Sequence, residues 1–223
     1  MNPLISRTEA ILFDFDGTLA RLEIDFKSLR QEILELAVSF GLRDPLLPDP
    51  PYLLEITRAL KEQMERRDGV SPEDFYTQVM TLIAKREWEA ASPENLFPAS
   101  RLVLKSLHER GLKIAVLTRN SGKSVYRVFP DLDQYVGIFL PREKVLKPKP
   151  DPDHLRKALD FLQVPPQKAV IVGDHPLDIL SGKKAGTFTI GVLSGRTQEE
   201  EMRAAGADLI LPDIGSLMDL LKD

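Results

Sequence analysis

The chain has 223 residues with a formal net charge of −4, a hydrophobic fraction of 43% and a charged fraction of 29%, the composition of an ordinary globular protein. It has no cysteine, which excludes disulfides, thiolate catalysis and cysteine-ligated zinc. Charges of both signs are mixed along the chain, so there is no basic footprint for nucleic acid and no acidic tail, and no apolar run approaches the roughly 20 residues a membrane span needs. The first residues lack a basic start followed by an apolar stretch, so they do not read as a signal peptide, and a cytoplasmic monomer or homodimer is expected.

The first predicted element is a short buried strand at Ala10-Ile11-Leu12-Phe13, ending in Asp14-Phe15-Asp16-Gly17-Thr18, where Gly17 turns the chain. From Asp25 the period becomes helical, with Phe26, Leu29, Ile33, Leu36 and Ala37 on one face. Gly41 and Pro45, Pro48, Pro50 and Pro51 end that helix. A second helix is predicted over 52–67, stopping at Asp68-Gly69. A third runs to about Trp88, with Ser71 as N-cap, Pro72 in the first turn and Asp74 closing a capping box. Trp88 is expected in the core of this helical region or at an interface. Residues 20–96 are therefore all helix and connector.

After Pro98 helices and strands alternate. Helix 100–110 precedes strand 113–117, helix 122–129 precedes a strand near 137–140, helix 152–162 precedes strand 169–172, and helix 176–185 precedes strand 188–192. A last helix, strand and helix follow. Strands joined by helices imply right-handed crossovers and a parallel sheet covered on both faces. The expected fold class is α/β, a doubly wound, Rossmann-like sheet built from residues 1–19 and 97–223. A helical insertion at 20–96 interrupts it.

In such a sheet ligands bind beyond the carboxyl ends of the strands. Those ends carry Asp14 and Asp16, then Thr118-Arg119-Asn120, then Asp174 and Asp178. Two carboxylates as close as Asp14 and Asp16 raise one another's pKa unless a cation lies between them, and magnesium (Mg2+) is the hard, oxygen-liganded ion usual at phosphate sites. Taken alone, Asp16-Gly17 is an ordinary turn pair. Thr118 alone reads as a helix cap, and Arg119 and Asn120 beside it are placed to add donors to a phosphoryl group or to the rest of a substrate. Asp174 and Asp178 alone read as acidic residues favoured at a helix start. His108, His154 and His175 show no metal-ligand spacing, and His175 reads as a loop residue beside Asp174.

Phe13-Asp14-Phe15-Asp16-Gly17-Thr18-Leu19 resembles the first motif of the haloacid dehalogenase superfamily, in its phosphatase branch. The resemblance implies that Asp14 is the nucleophile and forms an aspartyl phosphate, with Asp16 as general acid and base. Thr118 matches the second motif and would bind a phosphoryl oxygen. The third motif is a lysine, and Lys147-Pro148-Lys149-Pro150-Asp151-Pro152 holds two overlapping candidates. Lys149 fits the family spacing better than Lys147. The lysine would neutralise Asp14 and the phosphoryl group. Gly173-Asp174 through Asp178 matches the fourth motif. The implied magnesium ligands are the side chains of Asp14 and Asp174 and the backbone carbonyl of Asp16, with Asp178 supporting the ion from outside or holding the lysine.

The core looks like phosphoglycolate phosphatase-like members with a helical cap after the first motif. It departs from many of them at Ala20-Arg21-Leu22, where they carry Val-Asp-Ser, so the small phosphorylated substrate stays unnamed. Arg21, Lys27 and Arg30 are candidates to contact it. A phosphomutase of the same superfamily needs the same two aspartates and is the alternative, with a non-catalytic binding domain a more distant one.

Overall fold

The computed structural model describes residues 7–49, 52–67, 69 and 71–220. Pro50, Pro51 and Asp68, expected as helix-ending positions, lie outside the described residues. The chain divides into two compact units, Met1–Leu22 with Ala91–Asp223, and Glu23–Ala90. Residues 20–22 and 91–96, read in the sequence as part of the insertion, group with the first unit. The physical reason is pairing between the two stems. Ala20 bridges Leu96, Arg21 N–H donates to the Asn95 carbonyl, and Ser100 Oγ donates to the Leu19 carbonyl at 2.6 Å.

The first unit holds a six-stranded, all-parallel sheet. Its strands are β1 (Ala10–Phe13), β2 (Lys113–Leu117), β3 (Ile138–Leu140), β4 (Ala169–Gly173), β5 (Phe188–Val192) and β6 (Leu209–Leu211). They lie in the order β3-β2-β1-β4-β5-β6. The order reverses between β1 and β4, where a doubly wound sheet opens its ligand crevice. The expected α/β class is observed, and so is the reason β1 and β4 read as unbroken apolar runs. Every residue of both strands is buried, because helices cover both faces of a parallel sheet.

Helix α6 (Asp153–Leu162) shows how one face is closed. Leu155, Ala158, Leu159 and Leu162 form a helical-period stripe that packs on Leu12, Leu117, Leu140 and Ile171 from four strands. Each buried leucine contributes about 1.5–3 kcal/mol. Helix α7 (Pro176–Ala185) has proline in its first turn, a capping box between His175 and Asp178, and a left-handed Gly186 as its stop. The remaining helices of this unit are α4 (Ser100–Glu109), α5 (Gly122–Val128), α8 (Glu199–Ala204) and α9 (Leu217–Leu220).

The second unit contains α1 (Phe26–Ser39), α2 (Leu53–Met64) and α3 (Pro72–Ala90). Asp25 caps α1 by accepting from the N–H groups of Lys27 and Ser28 at 3.1 and 3.0 Å. Ser71 accepts from Asp74 N–H at 3.3 Å, the N-cap bond expected there. Its buried apolar side chains at helical spacing include Leu29, Ile33 and Ala37 on α1, Ile56, Leu60 and Met64 on α2, and Phe75, Val79 and Ile83 on α3. Of the two places expected for Trp88, the core is excluded. It is 45% exposed, because the buried stripe of α3 passes through Val79, Ile83 and Glu87. Among the described residues, no helix is long and apolar enough to cross a membrane.

Candidate active site

Asp14 follows β1 and Asp174 follows β4, so the two carboxylates stand on neighbouring strands flanking the reversal in strand order. The backbone continues the ladder at this point, with Asp14 N–H donating to the Val172 carbonyl at 2.9 Å. Asp14, Asp174 and Asp178 are all buried, and each offers a carboxylate oxygen within 4.8 Å of the others. Lys149 lies between two of them. Its Nζ donates to Asp14 Oδ1 at 2.6 Å and to Asp178 Oδ1 at 2.5 Å, with 1% of the residue exposed. Lys147 is exposed. Of the two overlapping Lys-Pro units, the second therefore delivers its charge into the crevice.

The loop after β1 approaches the cluster closely. Gly17 has φ +86°, a left-handed conformation, and a Cβ there would lie 2.1 Å from Asp174 Oδ2. A Cβ on Gly195, in the loop after β5, would lie 1.8 Å from the same oxygen. Gly17→Ala therefore adds a steric clash to backbone strain. It is expected to displace Asp174 and to lower affinity for a divalent cation by at least about tenfold, since a group held by close packing is lost with small shifts. Isothermal titration with magnesium checks this, and an unchanged affinity would show that the close approach is relaxed in solution.

Asp178 has both oxygens engaged, Oδ1 on Lys149 and Oδ2 accepting from His175 N–H at 3.2 Å. Thr18 Oγ1 donates to Asp174 Oδ1 at 3.5 Å. Asp16 is held apart from the buried trio, its Oδ1 accepting from Leu22 N–H at 2.7 Å. Its charge still reaches Asp174.

Thr118 follows β2, next to β1 in the sheet, and is fully buried. Its Oγ1 donates to Asn120 Oδ1 at 2.8 Å and accepts from Asn120 N–H at 3.1 Å, closing a tight loop. Arg119 presents its carbonyl to Arg142 Nη1 at 2.5 Å, and Asn120 presents its own to Arg142 N–H at 3.2 Å. The sequence offered no signal for Arg142, a buried arginine that braces this loop from the end of β3.

Arg21 donates to the Ser194 carbonyl and lies 6.0 Å from the Phe97 ring centre. Lys27 is exposed and Arg30 half-buried on α1 of the second unit. His108 is exposed on α4, whereas His154 is buried beside the Lys149 backbone and His175 is half-buried with its N–H on Asp178.

The electrostatics of the cluster call for a cation. Burial pushes the Asp14 carboxyl up from 3.8 to about 6, although Lys149 pulls it down and Asp178 pushes it further up. Asp174 is raised well above the usual carboxylate range by burial and then by Asp14, Asp178 and Asp16. Lys149 stays charged, its burial outweighed by Asp14 and Asp178. The donor set is all oxygen and carries excess negative charge, which fits a hard divalent ion. Asp14 and Asp174 are the carboxylates positioned to hold one. The Asp178 oxygens are committed to Lys149 and His175.

A doubly wound sheet that carries a buried aspartate with a lysine on it, and a second acidic strand end beside them, offers a crevice suited to an anionic substrate. A sequence profile described as haloacid dehalogenase-like hydrolase matches residues 11–192, and the chain belongs to that family. It is a hydrolase of the phosphatase kind. A protein of Caldanaerobacter subterraneus subsp. tengcongensis, provisionally named pyrophosphatase PpaX, is 35% identical over 227 residues, 96% of this chain and 94% of that one. Pyrophosphatase PpaX of Anoxybacillus flavithermus is 32% identical over 219 residues, 95% of each chain. A crystal structure from Bacteroides fragilis, provisionally named a haloacid dehalogenase-like hydrolase, superposes with a TM-score of 0.70 at 26% identity. It covers 94% of this chain and 99% of that one.

Proposed function

We propose that this protein is a cytoplasmic, magnesium-dependent phosphohydrolase that cleaves a small phosphorylated substrate through a phosphoaspartate on Asp14, with inorganic pyrophosphate the leading candidate. The observation that carries the reading is the Lys149 ammonium seated on Asp14 and Asp178, with the Asp174 carboxylate beside them. The names of the two relatives above favour pyrophosphate among small substrates. We also assign the catalytic core to the unit read from sequence as residues 1–19 and 97–223, and the cap domain to the insertion read as 20–96, with residues 20–22 and 91–96 falling on the core side.

The chemistry follows from the residues. An Asp14 carboxylate oxygen attacks phosphorus, the bond to the leaving oxygen breaks, and Asp16 gives that oxygen its proton. Water then attacks the aspartyl phosphate, Asp16 takes the proton, and phosphate leaves with Asp14 restored. Leu22 N–H holds the Asp16 carboxylate in place through both steps. Lys149 keeps Asp14 ionised in a buried site and opposes the charge that develops on the phosphoryl oxygens. Thr118, Arg119 and Asn120 supply donors to those oxygens, with the Thr118 hydroxyl shared with Asn120 in the free protein. Asp14 and Asp174, with the Asp16 carbonyl, would hold magnesium, which would neutralise charge on the phosphate.

Phosphate release from a panel of pyrophosphate, glycolate phosphate, sugar phosphates and nucleoside monophosphates tests the reading. Release is expected to require magnesium and to stop on chelation, with pyrophosphate among the best substrates. Sugar phosphates that isomerise without releasing phosphate would identify a mutase. Release unaffected by chelation, or none from any member, would end the proposal.

A further inference from the structure

We propose that His154 is a positioning residue for the active-site lysine, holding the backbone of Lys149 against the end of β3 so that its ammonium reaches Asp14. This rests on the assignment of Lys149 to the site. His154 lies in the first turn of α6, in the same stripe as Leu155, Ala158, Leu159 and Leu162, and is fully buried. A histidine in an apolar stripe is costly to bury unless both ring nitrogens are satisfied. Both are. Nε2 lies 3.0 Å from the Leu140 carbonyl, and Nδ1 lies 3.3 Å from Lys149 N–H.

A carbonyl only accepts and a backbone N–H only donates, so the pair of contacts dictates the tautomer: Nε2 carries the proton and Nδ1 is bare. The Leu140 carbonyl also accepts from Thr118 N–H at 3.1 Å. One oxygen at the end of β3 thus anchors the backbone of Thr118 and, through the imidazole, that of Lys149. The ring links the loop that presents phosphate donors to the loop that presents the cation. Burial and the neighbouring Lys149 charge keep the imidazole neutral, down to a pKa of about 3, so it adds no second positive charge behind the lysine.

A leucine or phenylalanine would fill the same volume, and a purely packing role predicts little change on that swap. A positioning role predicts otherwise. His154→Phe is expected to lower kcat on pyrophosphate by about 10- to 100-fold with KM within about threefold, the scale of a misplaced catalytic group. His154→Asn, whose Oδ1 can stand in for Nδ1 as acceptor, should recover most of that loss. Amide hydrogen exchange at Lys149, followed by NMR, should speed up at least about tenfold in the Phe variant and stay near wild type in the Asn variant.

The inference is overturned if His154→Phe keeps kcat within about twofold, if the Asn variant is no better than the Phe variant, or if Lys149 exchange is unchanged. Should neither variant fold, 15N NMR of the wild-type imidazole decides. A neutral Nε2–H ring with a hydrogen-bonded Nδ1 supports the role, and the other tautomer or a protonated ring at neutral pH rejects it. A wild-type protein that turns over no phosphorylated compound defeats the proposed function alone. The exchange and imidazole measurements still judge the Lys149–His154 bond.

Discussion

Lys149→Met should destabilise the metal-free protein by about 3–5 kcal/mol, because it leaves buried carboxylates without their cation. The lysine is 1% exposed and bonded to both Asp14 and Asp178, so no water can replace it without opening the site. The loss should depend on pH. Asp14 already has its folded pKa raised from 3.8 to about 6, so between those values the folded protein binds more protons than the unfolded one. Stability from this group is therefore greatest at low pH and is lost as pH rises through about 6. Removing Lys149 takes away the influence that lowers Asp14, which widens the window upward. Denaturant melts in chelator should show a larger deficit for Lys149→Met at pH 8 than at pH 5.5. Adding Asp178→Asn should recover part of the stability but none of the activity, since it removes one of the stranded charges. An equal deficit at both pH values would mean the carboxylates are screened by solvent, contrary to their burial.

Asp14→Asn should reduce turnover by at least about 10⁴-fold, the scale seen when a covalent nucleophile is deleted. The fold should persist. The amide has nearly the shape of the carboxylate, and Lys149 keeps Asp178 as partner. Burial of a neutral amide also avoids the charge cost that pushes Asp14 upward. The variant is therefore expected to melt at or near the wild-type denaturant midpoint in chelator while releasing no measurable phosphate. Rapid quench of the wild-type protein with labelled substrate should trap one phosphoryl group on the peptide containing Asp14. Turnover by Asp14→Asn near the wild-type rate would show that water attacks the substrate directly.

The sequence alone determined the fold class and the strand ends. Parallel strands covered on both faces must be apolar throughout, so Ala10–Phe13 and Ala169–Gly173 announce themselves as runs, and the polar residues that follow them must sit at carboxyl ends. Asp14, Thr118 and Asp174 were legible for that reason, and the motif spacing added Lys149. Local signals also placed most helix starts, as at Asp25, Ser71 and Pro176, because capping is short-range chemistry. Only the tertiary structure decided what depends on separate segments meeting. Lys149 was separated from Lys147 by which ammonium reaches Asp14, 135 positions away in the chain. Asp178, for which the motif implied either support of the ion or a hold on the lysine, bonds to the Lys149 ammonium. Arg142 and His154 were invisible because their partners are backbone carbonyls and N–H groups, which every residue possesses and only folding selects. Trp88 read as core or interface by its chemistry and lies half exposed, which excludes the core, since burial is set by the face a helix turns inward and not by side-chain type alone.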